Sequence, residues 1–143
     1  MARTTLDRVR SGLAANLNAA IPGIQCNGYL LASPTAPGFE IEPGEIEYDL
    51  AMGRGLDMWT LIVRGYVSDV SDIGAQKTLD SWLASSGALS VKAAIQSDKT
   101  LGGACSDLRV AQVSGYRRYG AAANSNVSFL GAEWTVVVYG TGI

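Results

Sequence analysis

The stretch MWTLIVRGYV, Met58 to Val67, constrains this chain more than any other. Trp59, Leu61, Val63 and Val67 fall on one side of a strand, because strand side chains alternate with a period of two. Met58, Ile62 and Tyr66 make the other side apolar as well. A strand that is apolar on both sides belongs in the middle of a sheet, with strands on either side of it.

The rest of the chain supplies those neighbours. Leu6, Val9, Leu13 and Leu17 recur at helical spacing and predict an amphipathic helix over 5–20. Thr4 or Thr5 caps its start, Asp7 suits the positive end of the helix dipole, and Pro22-Gly23 stops it. Residues 24–31 read as a strand and 33–38 as a loop. From Phe39 to Leu50 apolar and acidic residues alternate, and Pro43-Gly44 breaks the run and changes its phase. That pattern predicts one half-buried strand or two short ones, with an acidic outer face.

A second helix is expected over 72–85, with Ala75, Leu79, Trp82 and Leu83 in its core stripe. Ser90 caps a short third helix that runs to Ile95. After a loop at 97–106, the stretches 108–119 and 126–139 form a long terminal hairpin. Runs of helix and strand in this order predict a single α+β domain over 1–143. Its sheet is mixed and mainly antiparallel, with helices packed on one face.

Composition narrows the function classes. With 11 basic and 13 acidic residues the net charge is −2, which does not suit a general or sequence-specific nucleic-acid binder. No run of 18 apolar residues exists to cross a membrane. Arg3, Arg8 and Arg10 are not followed by the apolar segment of a signal peptide, so an intracellular protein is expected. There is no histidine, hence no serine–histidine triad, and no G-x-S-x-G elbow. Gly53-Arg54-Gly55 and Leu101-Gly102-Gly103 lack phosphate-loop spacing. Cys26 and Cys105 could pair, but two reduced, partly buried thiols are expected. No catalytic residue, cofactor or metal is expected, and the chain is not read as an enzyme.

Two groups remain as candidate sites. Glu40, Glu42, Glu45, Glu47 and Asp49 form the one dense charge cluster. Their strand-period alternation predicts a solvent-facing surface first, an electrostatic docking face second, and a cation or acid–base site last. Tyr116, Arg117, Arg118 and Tyr119 sit near the hairpin tip. They are either a solubilising tip or an interface, since Tyr and Arg are favoured where proteins bind each other.

Three stretches carry a resemblance. They are the opening helix ending in LAANLNAAIPGIQCNGYLLASPTAPGFEI, the helical stretch DIGAQKTLDSWLASSGALSVKAAIQSDKTLGG, and the closing strand LGAEWTVVVYGTG. In this order, over about 5–140, the chain resembles the tail terminator family of siphophages, the ring proteins similar to the lambda terminator. The resemblance implies a homo-oligomeric ring, a hexamer, that caps the tail-tube protein and meets the head-closure or neck protein. It implies a virion protein of the head–tail junction, assembled in the host cytoplasm, with genomic DNA passing through the lumen. It implies no catalysis and maps no individual residue. Another connector or tail-tube ring, or a small α+β ligand-binding domain or enzyme, are the other readings.

Overall fold

The computed structural model describes residues 5–21, 24–26, 38–48, 56–67, 73–120 and 128–140. In chain order these form α1 (Leu6–Ala20), β1 (Gln25–Cys26), β2 (Gly38–Glu47), β3 (Asp57–Val67), α2 (Ile73–Leu83), α3 (Val91–Ile95), a 3-10 turn (Leu101–Gly103), β4 (Asp107–Gly120) and β5 (Ser128–Gly140). The strands make one five-stranded sheet in the order β1-β2-β3-β5-β4. Strand β1 runs parallel to β2, and every other pairing is antiparallel. The fold is α+β, and the strand that is apolar on both sides is the central one. The hairpin of β4 and β5 forms as its alternation predicts. Of the strand expected over 24–31, residues 27–31 lie outside the described ones.

The core lies on one face of the sheet. Trp59, Leu61, Val63 and Val67 of β3 share it with Phe39 and Ile41 of β2 and with Ala132, Trp134, Val136 and Val138 of β5. The buried residues of α1 (Val9, Leu13, Leu17), α2 (Leu79, Trp82) and α3 (Val91, Ile95) join the same cluster. All three helices therefore cover one side of the sheet.

Gly65 decides how that side packs. A methyl group there would lie 2.5 Å from Phe39 Cε1 and 2.9 Å from Trp134 Cζ3, well inside van der Waals contact. The Phe39 and Trp134 rings thus occupy the space above β3 that a side chain would take. Their centroids are 6.0 Å apart, and Trp82 of α2 lies against Phe39 at 4.7 Å with a 36° tilt. Such offset aromatic contacts add about 1 kcal/mol each beyond the area they bury.

The helices are held by named polar contacts. The Thr5 hydroxyl caps α1 by accepting the Arg8 N–H at 3.3 Å. The Ser90 hydroxyl caps α3 by accepting the Ala93 N–H at 3.1 Å. Asn16 of α1 donates to the Ile95 carbonyl at 3.1 Å and to that of Asp98 at 3.3 Å, tying α1 to the end of α3. The loop after α3 is organised by Asp98. Its carboxylate accepts from the Thr100 N–H, the Thr100 hydroxyl and the Gly102 N–H. These bonds hold the Asp98 carboxyl below its ordinary range, with the Thr100 hydroxyl the largest cause.

Gly65→Ala is expected to cost about 2 kcal/mol through overpacking, which lowers Tm by roughly 6 °C in a chain of this size. Thermal unfolding followed by circular dichroism measures it. An unchanged Tm would contradict the close packing of Phe39 and Trp134 over this position.

Candidate functional site: the open face and edges of the sheet

The face of the sheet opposite the helices carries the charge. Cross-strand pairing sets its rows. One row reads Glu40, Arg64, Glu133, Ser114 across β2, β3, β5 and β4. The next reads Glu42, Ile62, Thr135, Gln112. Tyr66 and Val137 are buried yet stand apart from the helix-side core, as residues of this second face.

Arg64 is the hub. Its Nη1 and Nη2 each lie 2.9 Å from a carboxylate, Glu40 Oε1 and Glu42 Oε2 respectively, and its Nε lies 3.5 Å from Glu133 Oε1. The Tyr66 hydroxyl donates to Glu40 Oε1 at 2.8 Å. Burial disfavours the charged guanidinium, but hydrogen bonds to Glu40 and Glu42 outweigh it, so Arg64 holds its proton more tightly than an ordinary arginine. Burial, then the hydrogen bond to and charge of Glu40, push the Tyr66 phenol up. The cluster is a cross-strand charge ladder: three carboxylates share one cation and a phenol.

The acidic cluster of the sequence therefore splits. Glu40 was expected on a solvent-facing strand surface. It is 5% exposed instead, because Arg64 stands directly opposite it and Tyr66 closes over it. Glu42 is half-buried beside the same arginine. Glu45 and Glu47 are exposed, as the alternation predicts. Asp49 lies outside the described residues. The phase change at Pro43-Gly44 is a bulge: the pairing shifts between Pro43 and Ile46, which carries Ile46 to the core side opposite Trp59. Of the two expected arrangements, one strand or two short ones, the structure shows one strand.

The second candidate group lies on the sheet edge. Strand β4 is the last in the order, and its pairing with β5 shifts between Val110 and Gln112 and again between Ser114 and Arg117. Gly115 takes a φ of +69° at the second shift, a left-handed conformation that glycine adopts without strain. Tyr116 is exposed, and its hydroxyl donates to Asp80 of α2 at 3.2 Å. Arg117, Arg118 and Tyr119 pair in register with Gly131, Leu130 and Phe129 at the end of the hairpin; their side chains lie outside the described ones. The structure thus keeps the acidic and basic groups apart, on β2 and β4.

Beside β4 runs a groove of about 170 Å³, lined by Leu83, Lys92, Val110, Gln112, Val113 and Trp134 among others. That is below the roughly 300–1,000 Å³ of ordinary small-molecule sites. Among the described residues, Lys92 is the single ionisable one in its lining. Cys26 and Cys105 are buried, and they are not joined in a disulfide. Burial first, then the charges of Asp107 and Asp98, push the Cys105 thiol up to about 11, so it is a poor nucleophile. Among the described residues, no three acidic or cysteine side chains come together to hold a metal ion. No described helix is long and apolar enough to cross a membrane.

Comparison with protein families finds no family model that matches this chain, and comparison with curated proteins finds no significant match.

Sequence reasoning missed Arg64, Tyr66 and Glu133 as parts of a site. The available signal was Arg64 itself. A charge in the middle of a strand apolar on both sides requires partners, and an acidic strand pairing beside it supplies them.

Arg64→Met would leave Glu40 buried without its cation and is expected to cost about 3 kcal/mol. Adding Glu40→Gln should recover part of that loss, because the uncompensated buried charge is then gone. Urea unfolding of both variants measures the difference. A double variant no more stable than Arg64→Met would contradict the pairing.

Proposed function

We propose that this chain forms a closed ring, a hexamer, which caps the tail tube of a long-tailed bacteriophage and joins it to the neck of the head. The observation that carries the reading is the ordered resemblance of three stretches to tail terminators, spread over most of the chain. Those stretches correspond to α1 with β1 and the start of β2, to α2 through the 3-10 turn, and to β5. They include the helical layer and the strand beside the central one. Two features of the molecule support the reading. Glu45 and Glu47 are exposed at the end of β2, and the long edge strand β4 is exposed over 111–114. Both are surfaces on which a subunit can meet others. A ring needs two different patches per subunit whose rotation closes.

Electron microscopy of the purified protein mixed with tail tubes tests the reading. One ring with six-fold symmetry at a tube end is the expected result. Growth into long tubes would make it a tube protein instead. No association with tubes or necks would overturn the proposal.

A further inference from the structure

We propose that the outer edge of β4 takes an extended segment of the neighbouring subunit as a further strand, with an apolar side chain of that segment in the groove beside β4 and a carboxylate of it on Lys92. The inference rests on the proposed ring for the source of the strand, and it names the chemistry of the subunit contact. Its basis is an uncovered strip on the helix side of the sheet, with a cation in its lining.

The strip follows from a bulge. Val110 pairs with Val136 and Val113 with Trp134, two residues of the helix-side core. The shift between Val110 and Gln112 is what sets two residues three apart on the same side. The helical layer stops short of them: Val110 is only partly buried, and Val113 is 42% exposed. With Leu83 of α2, Lys92 of α3 and Trp134 they line the groove. Tyr116, 45% exposed, lies along the same side, since its hydroxyl reaches Asp80 of α2. The edge itself is open to pairing. Exposed sheet edges are normally blunted by charged side chains or proline, because their outward backbone groups can pair with another chain. Residues 110–116 hold neither, and 111–114 are exposed throughout. The Gln96 side-chain oxygen accepts the Val110 N–H at 3.0 Å and closes the edge at that point, so an added strand starts beyond it.

These features state what the occupant carries. A strand laid along β4 sends alternate side chains to the helix side. One of them meets Leu83, Val110, Val113 and Trp134, an apolar surface that suits an aliphatic residue. Lys92 lies in the same lining, and among the described residues no carboxylate pairs with it. A carboxylate two positions along the added strand shares the side of the aliphatic residue and meets that cation. Main-chain pairing then gives affinity, and the apolar and charged contacts give specificity. Another copy of the open span of β4 cannot supply the carboxylate, because residues 110–116 contain no acid. The edge therefore accepts an unlike patch, and a contact between unlike patches is the head-to-tail kind that closes into rings. A neighbouring copy suits the donor's part by charge as well, with 13 acidic residues to 11 basic.

A strand probe and two full-length variants test it. The variants are Lys92→Glu and Val113→Lys, and native melting temperatures confirm that both fold. The probe is the capped peptide Thr-Val-Thr-Leu-Thr-Glu-Thr, made also in reversed order so that parallel and antiparallel pairing are both covered. On isotope-labelled wild-type protein, one order should shift the amide resonances of residues 111–114 most. Lys92→Glu should bind that peptide at least about tenfold more weakly and prefer its counterpart with Lys in place of Glu, since opposite charges then meet. In sedimentation velocity over a concentration series, each variant should associate at least about tenfold more weakly than the wild type, and saturating peptide should weaken association of the wild type. Shifts that are absent or centred elsewhere, or variants that bind and associate as the wild type does, would overturn the proposal. So would a wild-type chain that stays monomeric, or a peptide that binds while association continues unchanged, because the strand would then come from another protein. Imaging with tail tubes separates the two ideas. If both variants cap tubes as the wild type does, the strand contact fails and the capping reading stands. If association follows the edge but tubes are ignored, the capping reading fails and the contact stands.

Discussion

The packing of Phe39 and Trp134 over Gly65 is the contact on which the rest of the arrangement depends. Only a residue without a side chain leaves room there for two rings from the flanking strands. Trp82 then lies on Phe39, which fixes α2 against the sheet. Arg64 and Tyr66, one residue either side of Gly65, necessarily point the opposite way. Three consecutive residues of the central strand therefore anchor both faces, an aromatic core on one and a charge ladder on the other. Rings and charges are kept apart by the strand's own alternation.

The ladder is a device for ordering strands more than for adding stability. Burying an arginine with carboxylates costs desolvation that the attraction between them only roughly offsets. Breaking it is costly nonetheless, since Glu40 has little access to water. A one-residue slip of β2 on β3 would turn Glu40 into the aromatic core and remove it from Arg64. The ladder thus opposes wrong registers, as the bulge at Pro43 and Ile46 opposes continuation of the same phase.

Much of this was legible in the sequence. The central position of Met58 to Val67, the opening helix with a cap at Thr4 or Thr5, the Ser90 cap of the short third helix and the phase change at Pro43-Gly44 all derive from spacing and local chemistry, and the structure places the first cap at Thr5. What escaped was long-range. Nothing local marks Glu40 as buried, since its neighbours alternate as those of an exposed acid do; its fate depends on Arg64, 24 residues away. The loop at 97–106 hid a 3-10 turn because the bonds that shape it come from one side chain, Asp98, spaced two and four residues before Thr100 and Gly102. Asn16, which joins α1 to the same region, meets partners 79 and 82 residues on. Of the candidate interface, the sequence separated the acidic and basic groups. Only the strand order places them on different strands at a distance, with two strands between.

The proposed ring would need two different patches on each subunit, and the edge strand β4, exposed over 111–114, offers one. The claim turns on where the subunits touch, and amide hydrogen exchange reads that directly. Comparing dilute protein with the assembled form, the account predicts slowed exchange in residues 111–116 of β4. Protection confined to the helices, with β4 exchanging as fast in the assembly as in dilute solution, would contradict it.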